Sequence, residues 1–207
     1  MKSVILATGG IKSAVLLALS QREGEETQAW FIRHNNDNHQ KEETHLHLVA
    51  QHYGVSVFLR SLETPEGWLP FKLSFFIFYT LMWAQTDGRN MVYYGSSKDD
   101  FMIEGTEEYL VTMRQLSDFA VPRYNEDDAM LRARCDAEAP LALLDMPRII
   151  RVGADLRVPF QLTWSCERAG VTHCGECEHC RRRYHAFKRA GVPDPTIYGE
   201  QYDTTNS

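Results

Sequence analysis

The chain has 207 residues, of which 43% are hydrophobic, and this is enough for one sizeable core, alone or with a small appendage. Its formal net charge is -6 and its sequence pI is about 5.7. A general nucleic-acid binder needs a basic stripe, so this overall charge argues against that class of function.

The hydropathy pattern predicts neither a secretory signal nor a membrane-spanning helix. No N-terminal signal is visible, because the apolar start covers only residues 4–7. The longest apolar run, residues 73–84, is shorter than the ~20 residues of a membrane-spanning helix. We therefore expect a buried core helix there, a cytoplasmic location and no membrane partner.

Strands and helices alternate through the first half of the chain. The hydrophobic pattern predicts strands over residues 3–8, 27–32, 55–60 and 91–95, and helices over residues 13–21, 38–54 and 73–84. Strands separated by helices of this length predict a doubly wound, parallel α/β sheet.

The pattern weakens after residue 95. Residues 107–119 look helical, residues 121–140 are polar, acidic and irregular, and residues 141–152 form a short apolar segment. We predict an α/β nucleotide-binding-like domain over residues 1–160. A C-terminal segment over residues 161–207 is expected to pack on it.

The loop between the first predicted strand and helix is a candidate phosphate site. Backbone amides at a helix N-terminus lack partners and carry partial positive charge, which suits phosphate. Two glycines would let the backbone approach an anion closely, and two hydroxyls would add hydrogen bonds. The candidate nucleotide-binding residues are Thr8, Gly9, Gly10, Ile11, Lys12 and Ser13. The alternative is a tight turn without a ligand.

Lys12 is the unusual residue of this loop. A lysine at the start of a helix is opposed by the helix dipole, so its presence suggests tolerance or a nearby anion. Asp100, Glu42 or a bound phosphate could be that anion, and the sequence does not choose among them.

Four of the five cysteines lie between residues 166 and 180. Without a secretory signal a reducing compartment is expected, so metal binding is favoured over disulfides. Four thiolates with two-residue gaps predict a closed, structural zinc site. The predicted ligands are Cys166, Cys174, Cys177 and Cys180, with His173 and His179 as substitutes. Cys135 stands apart and is expected to be an inert buried thiol.

Three arginines, residues 181–183, follow the cysteines directly. A zinc ribbon with a basic run could contact RNA or DNA. In an acidic chain we favour the solvated face of a helix, which offsets neighbouring acids and anionic thiolates.

The C-terminal segment resembles the end of the 7-cyano-7-deazaguanine synthase (QueC) family. The matching stretches are TWSC at residues 163–166, HCGECEHC at 173–180 and AGVPDPT at 190–196. The resemblance implies the adenine nucleotide α-hydrolase-like fold. It also implies an activity that uses ATP to convert 7-carboxy-7-deazaguanine and ammonia into a nitrile, through adenylated intermediates.

The resemblance also implies ligands and further site residues. ATP and Mg²⁺ join zinc as expected cofactors, and a nucleotide or deazaguanine-type small molecule is the expected partner. The sequence does not decide whether the chain acts with a partner protein or forms a homodimer. The candidate pocket residues that match the family are His39, Glu42, Lys72, Gly95, Asp100 and Phe101.

Several positions depart from the family pattern. The family's Ser-Gly-Gly-x-Asp-Ser loop has Lys12 in place of its aspartate, Lys72 replaces an arginine, and Met146 replaces a lysine. The family's Tyr-Pro-Asp-Cys-Arg stretch is replaced by EGTEE, residues 104–108.

These departures change charge at the implied phosphate site. An aspartate in the loop can organise magnesium, whereas Lys12 repels a cation and can attract phosphates directly. Each lost electrostatic partner costs ~3 kcal/mol of transition-state stabilisation, or about a hundredfold in rate. We therefore hypothesise a QueC-like zinc protein whose ATP chemistry is lost or redirected. The alternatives are an active 7-cyano-7-deazaguanine synthase and a nucleic-acid-binding zinc module.

Overall fold

The computed structural model of the chain describes residues 1–34, 39–63, 71–100, 103–120, 134–168 and 170–199. Within these ranges the strands are β1 (Lys2–Leu6), β2 (Glu26–Arg33), β3 (Ser56–Ser61), β4 (Met91–Tyr94) and β5 (Asp136–Glu138). The helices are α1 (Ile11–Arg22), α2 (His39–Tyr53), α3 (Lys72–Thr86), α4 (Glu107–Ala120), α5 (Met146–Asp155) and α6 (Glu178–Ala190).

The strands form one parallel sheet in the order β3-β2-β1-β4-β5. The chain first winds from β1 outward to β3, and then crosses back so that β4 pairs with the other side of β1. The order therefore reverses between β1 and β4, where the carboxyl ends of open α/β sheets form a crevice. The predicted doubly wound α/β fold is confirmed.

Each central strand sends alternate side chains into two cores, as a strand period of two requires. Ile5 and Phe31 pack on the face that α1, α2, α5 and α6 cover, while Val4 and Trp30 pack on the face of α3. Because both faces are covered, β1 and β2 are apolar on both sides, which explains their continuous hydrophobic runs.

At the first loop, the predicted ends of the first strand and the first helix differ from those in the structure. The first strand ends at Leu6, and α1 begins at Ile11 rather than at residue 13. The Ser13 hydroxyl accepts a hydrogen bond from the backbone N–H of Thr8 at 3.0 Å, which holds the intervening loop closed. Lys12 consequently lies inside the first turn of α1.

One strand was missed in the stretch predicted to be irregular. Strand β5 lies within residues 121–140 and pairs with β4, joining Met91 to Asp136 and Tyr93 to Glu138. Its three residues carry two acids and show no strand pattern, so only pairing with a distant strand defines it. Residues 121–133 lie outside the described residues.

The expectation of a fully buried core helix over residues 73–84 is wrong for one face of α3. Phe76 and Ile77 are buried, but Phe75, Phe78 and Met82 are 51%, 43% and 56% exposed. The helix is apolar all round, and the sheet covers only the side that faces it. In the described part of the chain, no helix combines the length and apolarity needed to cross a bilayer.

Gly9 has a structural task of its own in the first loop. Its φ of +70° lies in the left-handed region, which side chains avoid. A Cβ at this position would meet the backbone oxygen of Glu42 at 2.4 Å and the backbone nitrogen of Leu46 at 2.6 Å. Gly10 has an ordinary φ of -83°, and a Cβ there would find its nearest atom, the Trp164 oxygen, at 3.6 Å.

The two glycines should therefore respond differently to alanine. Gly9→Ala should lower the free energy of unfolding by about 2–4 kcal/mol, because backbone must shift and φ is strained. Gly10→Ala, the matched control, should change it by less than about 0.5 kcal/mol. Urea denaturation followed by circular dichroism measures both, and equal losses in the two variants would contradict this reading of the loop.

Candidate functional site

A cleft of about 500 Å³ opens at the carboxyl edge of the sheet, at the switch point between β1 and β4. The loop after β1 forms its floor, the loop after β4 forms one side, and residues 164–167 form the opposite wall. Ligands of open α/β sheets bind at this position in the fold.

Most of the candidate residues predicted from the sequence come together around this cleft. Those that line it are Thr8, Gly10, Ile11, Lys12, Ser13, Glu42, Gly95 and Asp100. Gly9 instead packs against α2. His39 and Lys72 are not among the residues that line the cleft. His39 Nδ1 accepts the backbone N–H of His34 at 3.1 Å, and Lys72 Nζ lies 5.9 Å from the centroid of the Phe76 ring. Phe101 lies outside the described residues.

Lys12 and Asp100 form an ion pair across the cleft. The Lys12 Nζ lies 2.5 Å from Asp100 Oδ2, and the two side chains are 27% and 20% exposed. The same oxygen accepts hydrogen bonds from the backbone N–H of Ser97 at 2.7 Å and from its hydroxyl at 2.8 Å. Burial by itself raises the pKa of Asp100, but the Lys12 charge and these bonds outweigh it and hold the pKa below its ordinary value. Of the three anions that the sequence left open for Lys12, Asp100 is the one in contact.

Glu42, on α2, is the carboxyl group of the cleft that titrates near neutrality. Burial raises its pKa to about 7, while the positive charge of Lys72 acts in the opposite direction. Burial also lowers the pKa of Lys72 itself. A carboxyl group with such a pKa can take or give a proton at neutral pH, so Glu42 is a candidate acid or base.

The C-terminal wall of the cleft was not predicted from the sequence. Trp164 donates its backbone N–H to the Gly9 oxygen at 3.0 Å, and its ring stacks on His45 at 5.0 Å between centroids. His45 in turn contacts the Leu162 oxygen through Nδ1 at 2.7 Å. Only the TWSC stretch signalled this wall, and its link to the first loop joins residues far apart in the chain.

The arginine run is not a uniformly solvated helix face, and that expectation is wrong for Arg183. Its side chain is 1% exposed, and its guanidinium donates to the Thr196 hydroxyl at 2.6 Å, the Thr163 hydroxyl at 2.9 Å and the Phe160 oxygen at 2.9 Å. The Asp194 carboxylate adds an opposite charge, with its Oδ1 at 3.8 Å from Arg183 Nε. Arg183 therefore joins α6 to the segments before and after it.

The preceding arginine, Arg182, lines the cleft and donates to the Asp99 backbone oxygen at 3.1 Å.

The four clustered cysteines converge on one point. Their Sγ atoms all lie within 4.8 Å of one another, with two pairs at 3.9 and 4.0 Å. Backbone N–H groups of residues 168, 174, 177 and 180 point at the sulfurs over 3.3–3.4 Å. The cluster, formed by Cys166, Cys174, Cys177 and Cys180, could bind a metal ion.

The nearby histidines and the fifth cysteine lie outside this cluster. His173 accepts the backbone N–H of Ser165 through Nε2 at 3.1 Å, and burial lowers its pKa to about 3, so it is neutral. His179 contacts the Glu167 carboxylate at 2.9 Å. Cys135 is buried, as expected, and burial raises its pKa to about 12, which makes it an unreactive thiol.

Comparison with solved structures identifies the fold. The chain is similar to NMN synthetase from Francisella tularensis, with a TM-score of 0.52, 16% identity and coverage of 92% of this chain and 77% of that one. It is also similar to the U34-tRNA thiolase NcsA from Methanococcus maripaludis, solved with its [4Fe-4S] cluster, at a TM-score of 0.51, 12% identity and coverage of 92% and 71%. The fold is that of the adenine nucleotide α-hydrolase-like proteins.

Sequence comparison gives the family. A family model described as "Queuosine biosynthesis protein QueC" matches residues 57–191, and the chain belongs to that family. It is 27% identical to the 7-cyano-7-deazaguanine synthase of Chlorobaculum tepidum, over 96% of both chains. It is 25% identical to the enzyme of that name from Methanothrix thermoacetophila, over 95% of this chain and 98% of the other.

The raised pKa of Glu42 makes stability depend on pH. Between its unfolded value of 4.5 and its folded value of about 7, the folded state binds the proton more tightly, so the free energy of unfolding falls as pH rises through this range. Glu42→Gln removes this loss. The variant should gain roughly 1–3 kcal/mol over the natural protein at about pH 8 relative to about pH 5, measured by urea denaturation.

The next residue of α2 provides the control. A hydrogen bond from Arg33, together with its charge, holds the pKa of Glu43 below its ordinary value, so its contribution is present at high pH and is lost in acid. Glu43→Gln should therefore cost more at about pH 8 than at about pH 4. If both variants shift in the same direction with pH, Glu42 is not buried in the cleft as described.

Proposed function

We propose that this QueC-family protein binds an adenine nucleotide and a deazaguanine-type base in the cleft, and that its ATP-dependent nitrile-forming chemistry is lost or redirected. The observation that carries the proposal is the ion pair at the cleft between Lys12, in the first turn of α1, and Asp100, in the segment after β4. The positive charge stands in the first turn of α1, where a magnesium-binding carboxylate would otherwise serve the phosphates.

The nucleotide would place its phosphates on the first loop. Gly10 precedes α1 and is not crowded, since a Cβ there would meet its nearest atom, the Trp164 backbone oxygen, at 3.6 Å, and the amides of the first turn have no acceptors within the helix. The hydroxyl of Thr8 and the side chain of Ser13 line the same part of the cleft. This combination of free amides, space and hydroxyls supports a phosphate subsite.

The base would occupy the apolar side of the cleft. Phe31, His34, Phe76 and Tyr94 line it, and the His34 and Phe76 rings stack at 5.1 Å. Flat heteroaromatic bases stack on such rings. Glu42 lies close enough to line the same space, and a carboxyl group with a pKa of about 7 suits proton exchange with a purine-like edge.

Two further departures support altered chemistry. Met146 lines the cleft with an uncharged side chain where the family carries a lysine. Lys72 offers a point charge where the family carries the planar fork of arginine. Removing one donor to a developing negative charge, as Met146 does, costs ~3 kcal/mol. An active synthase remains the second candidate, because the chain matches enzymes of that name over 96% of their length.

We further propose that the cysteine cluster holds one structural zinc ion. With Zn–S bonds of about 2.3 Å, a tetrahedron separates its sulfurs by about 3.8 Å, close to the observed 3.9 and 4.0 Å. A four-iron cluster gives each thiolate its own iron, which spreads the sulfurs farther apart. Four thiolates leave no open position for water, so the role would be structural.

The division into residues 1–160 and a zinc-binding segment of residues 161–207 is part of this proposal. Contacts between α5 and α6 and the hydrogen bond from Trp164 to Gly9 support a segment that packs on the α/β domain. The segment would then serve as the wall of the cleft.

A synthase assay tests the altered chemistry. Zinc-loaded protein is incubated with 7-carboxy-7-deazaguanine, ammonia, ATP and magnesium, and nitrile is quantified by mass spectrometry. We expect at least about a hundredfold less product than from the Chlorobaculum tepidum enzyme under the same conditions. Robust turnover that Lys12→Ala abolishes would show that the loop supports the standard reaction, and would favour the second candidate.

Metal analysis tests the zinc site. The natural protein should contain about one zinc per chain, and Cys177→Ala should lose it and unfold the C-terminal segment, since metal binding and folding are coupled. Cys135→Ala removes a buried thiol outside the cluster and should keep its zinc. Folded, reduced protein that contains iron instead of zinc, or no metal, would refute the assignment.

A further inference from the structure

The carboxylates around the cleft do not fit a magnesium site beside the first loop. Among the described residues, Glu42, Asp100 and Glu167 are the carboxylates that line the cleft. Asp100 Oδ2 already accepts from Lys12 and twice from Ser97. The pKa of Glu42 is about 7, so this group is partly protonated at neutral pH, and Glu167 contacts His179. Magnesium prefers ionised carboxylates in near-ideal octahedral geometry.

The loop instead presents positive charge to the cleft. Lys12 belongs to the first turn of α1, whose amides carry the positive end of the helix dipole, and its side chain runs past Gly95 to Asp100. A divalent cation placed there would be repelled by both. An ammonium group has three N–H donors, and Asp100 takes one, so two remain for oxygen atoms in the cleft.

An unpartnered hydroxyl indicates that the cleft accommodates a polar ligand. The Ser165 hydroxyl oxygen, on the opposite wall, is buried and has no hydrogen-bond partner among the described residues. A buried hydroxyl without a partner is uncommon, because desolvating it costs free energy.

We infer that Lys12, held in place by Asp100, supplies the positive charge that a divalent cation usually supplies to a phosphate chain, so that the cleft binds adenine nucleotide without divalent metal. The inference rests on the proposed function, since it assumes that a nucleotide occupies the cleft. Asp100 acts as a positioning residue: it holds the ammonium at the cleft, which both residues line, and does not itself contact the nucleotide.

This assignment also explains why an ion pair of Lys12 and Asp100 occupies a half-buried place. Two charges removed from water lose solvation, and one ion pair only partly offsets that loss. A bound phosphate chain would add two hydrogen bonds to the same ammonium, and charge-assisted bonds of this kind are among the strong ones. Asp100 meanwhile keeps its bonds from Ser97, so the pair need not break when the ligand arrives.

The test is calorimetric titration of the full, zinc-loaded chain with ATP, once in excess magnesium and once with the magnesium replaced by EDTA. EDTA is added only during the titration, and zinc content is checked afterwards. We expect dissociation constants within about threefold of each other in the two buffers. Lys12→Ala should weaken binding in EDTA by about tenfold or more, whereas Lys98→Ala, which removes the same charge from an exposed side chain nearby, should leave it unchanged.

A charge reversal sharpens the test. Lys12→Asp would place a second carboxylate opposite Asp100, so its binding of ATP should disappear in EDTA and return with magnesium or manganese. Asp100→Asn should weaken binding in EDTA less than Lys12→Ala does, because the ammonium stays but loses its orientation. Thermal melts followed by circular dichroism show whether each variant is folded.

Each outcome bears on one idea or both. Tight binding in magnesium that vanishes in EDTA for the natural protein overturns the inference and leaves the proposed function standing. Binding in neither buffer refutes the proposed nucleotide site and the inference with it. Binding in EDTA that Lys12→Ala does not weaken assigns the charge to another group and also overturns the inference. The comparison of the two buffers needs no variant, so misfolding of a variant does not remove the test.

Discussion

The backbone of Gly9 is the point on which the rest of the site depends. Its left-handed φ turns the chain from β1 into α1. The missing side chain lets α2 approach so closely that the Glu42 backbone oxygen would lie only 2.4 Å from a Cβ at this position. Its own oxygen accepts the backbone N–H of Trp164, which holds the C-terminal wall. One residue without a side chain therefore fixes the floor of the cleft, the packing of α2 against that floor, and the far wall.

The wall is stabilised in turn by contacts within the C-terminal segment. Arg183 ties α6 to Thr163, which precedes the helix, and to Thr196, which follows it, and it does so from a buried position where an unpaired charge would be costly. The cysteine cluster begins two residues after Trp164, so a metal bound there would fix the start of the same wall. The motif shared with the family is thus an architectural unit that closes one side of the site.

Charge is arranged so that the cleft changes character from one end to the other. At the loop end, Lys12 and the helix amides are positive, and the carboxylate of Asp100 pairs with the lysine. On the α2 side, Glu42 lies in a drier environment that raises its pKa to about 7. The apolar rings of Phe31 and Phe76 line the same cleft. An anionic, flat ligand with an acidic or basic edge matches this set of surfaces.

The sequence by itself determined the features that arise within a few residues. The periods of two and 3.6 predicted the alternating strands and helices, the spacing of Cys174, Cys177 and Cys180 predicted their convergence, and the Gly-Gly turn predicted the loop at the start of α1. These patterns are local, because backbone geometry and side-chain spacing within one element produce them.

Only the tertiary structure decided what depends on residues that are distant in the chain. It selected Asp100 among three candidate anions for Lys12, buried Arg183 in a run that reads as solvent-exposed, and made a strand of Asp136–Glu138 by pairing it with β4. It also left one face of the apolar helix α3 uncovered. Each outcome depends on which surfaces meet after folding, and that information is absent from any single window of sequence.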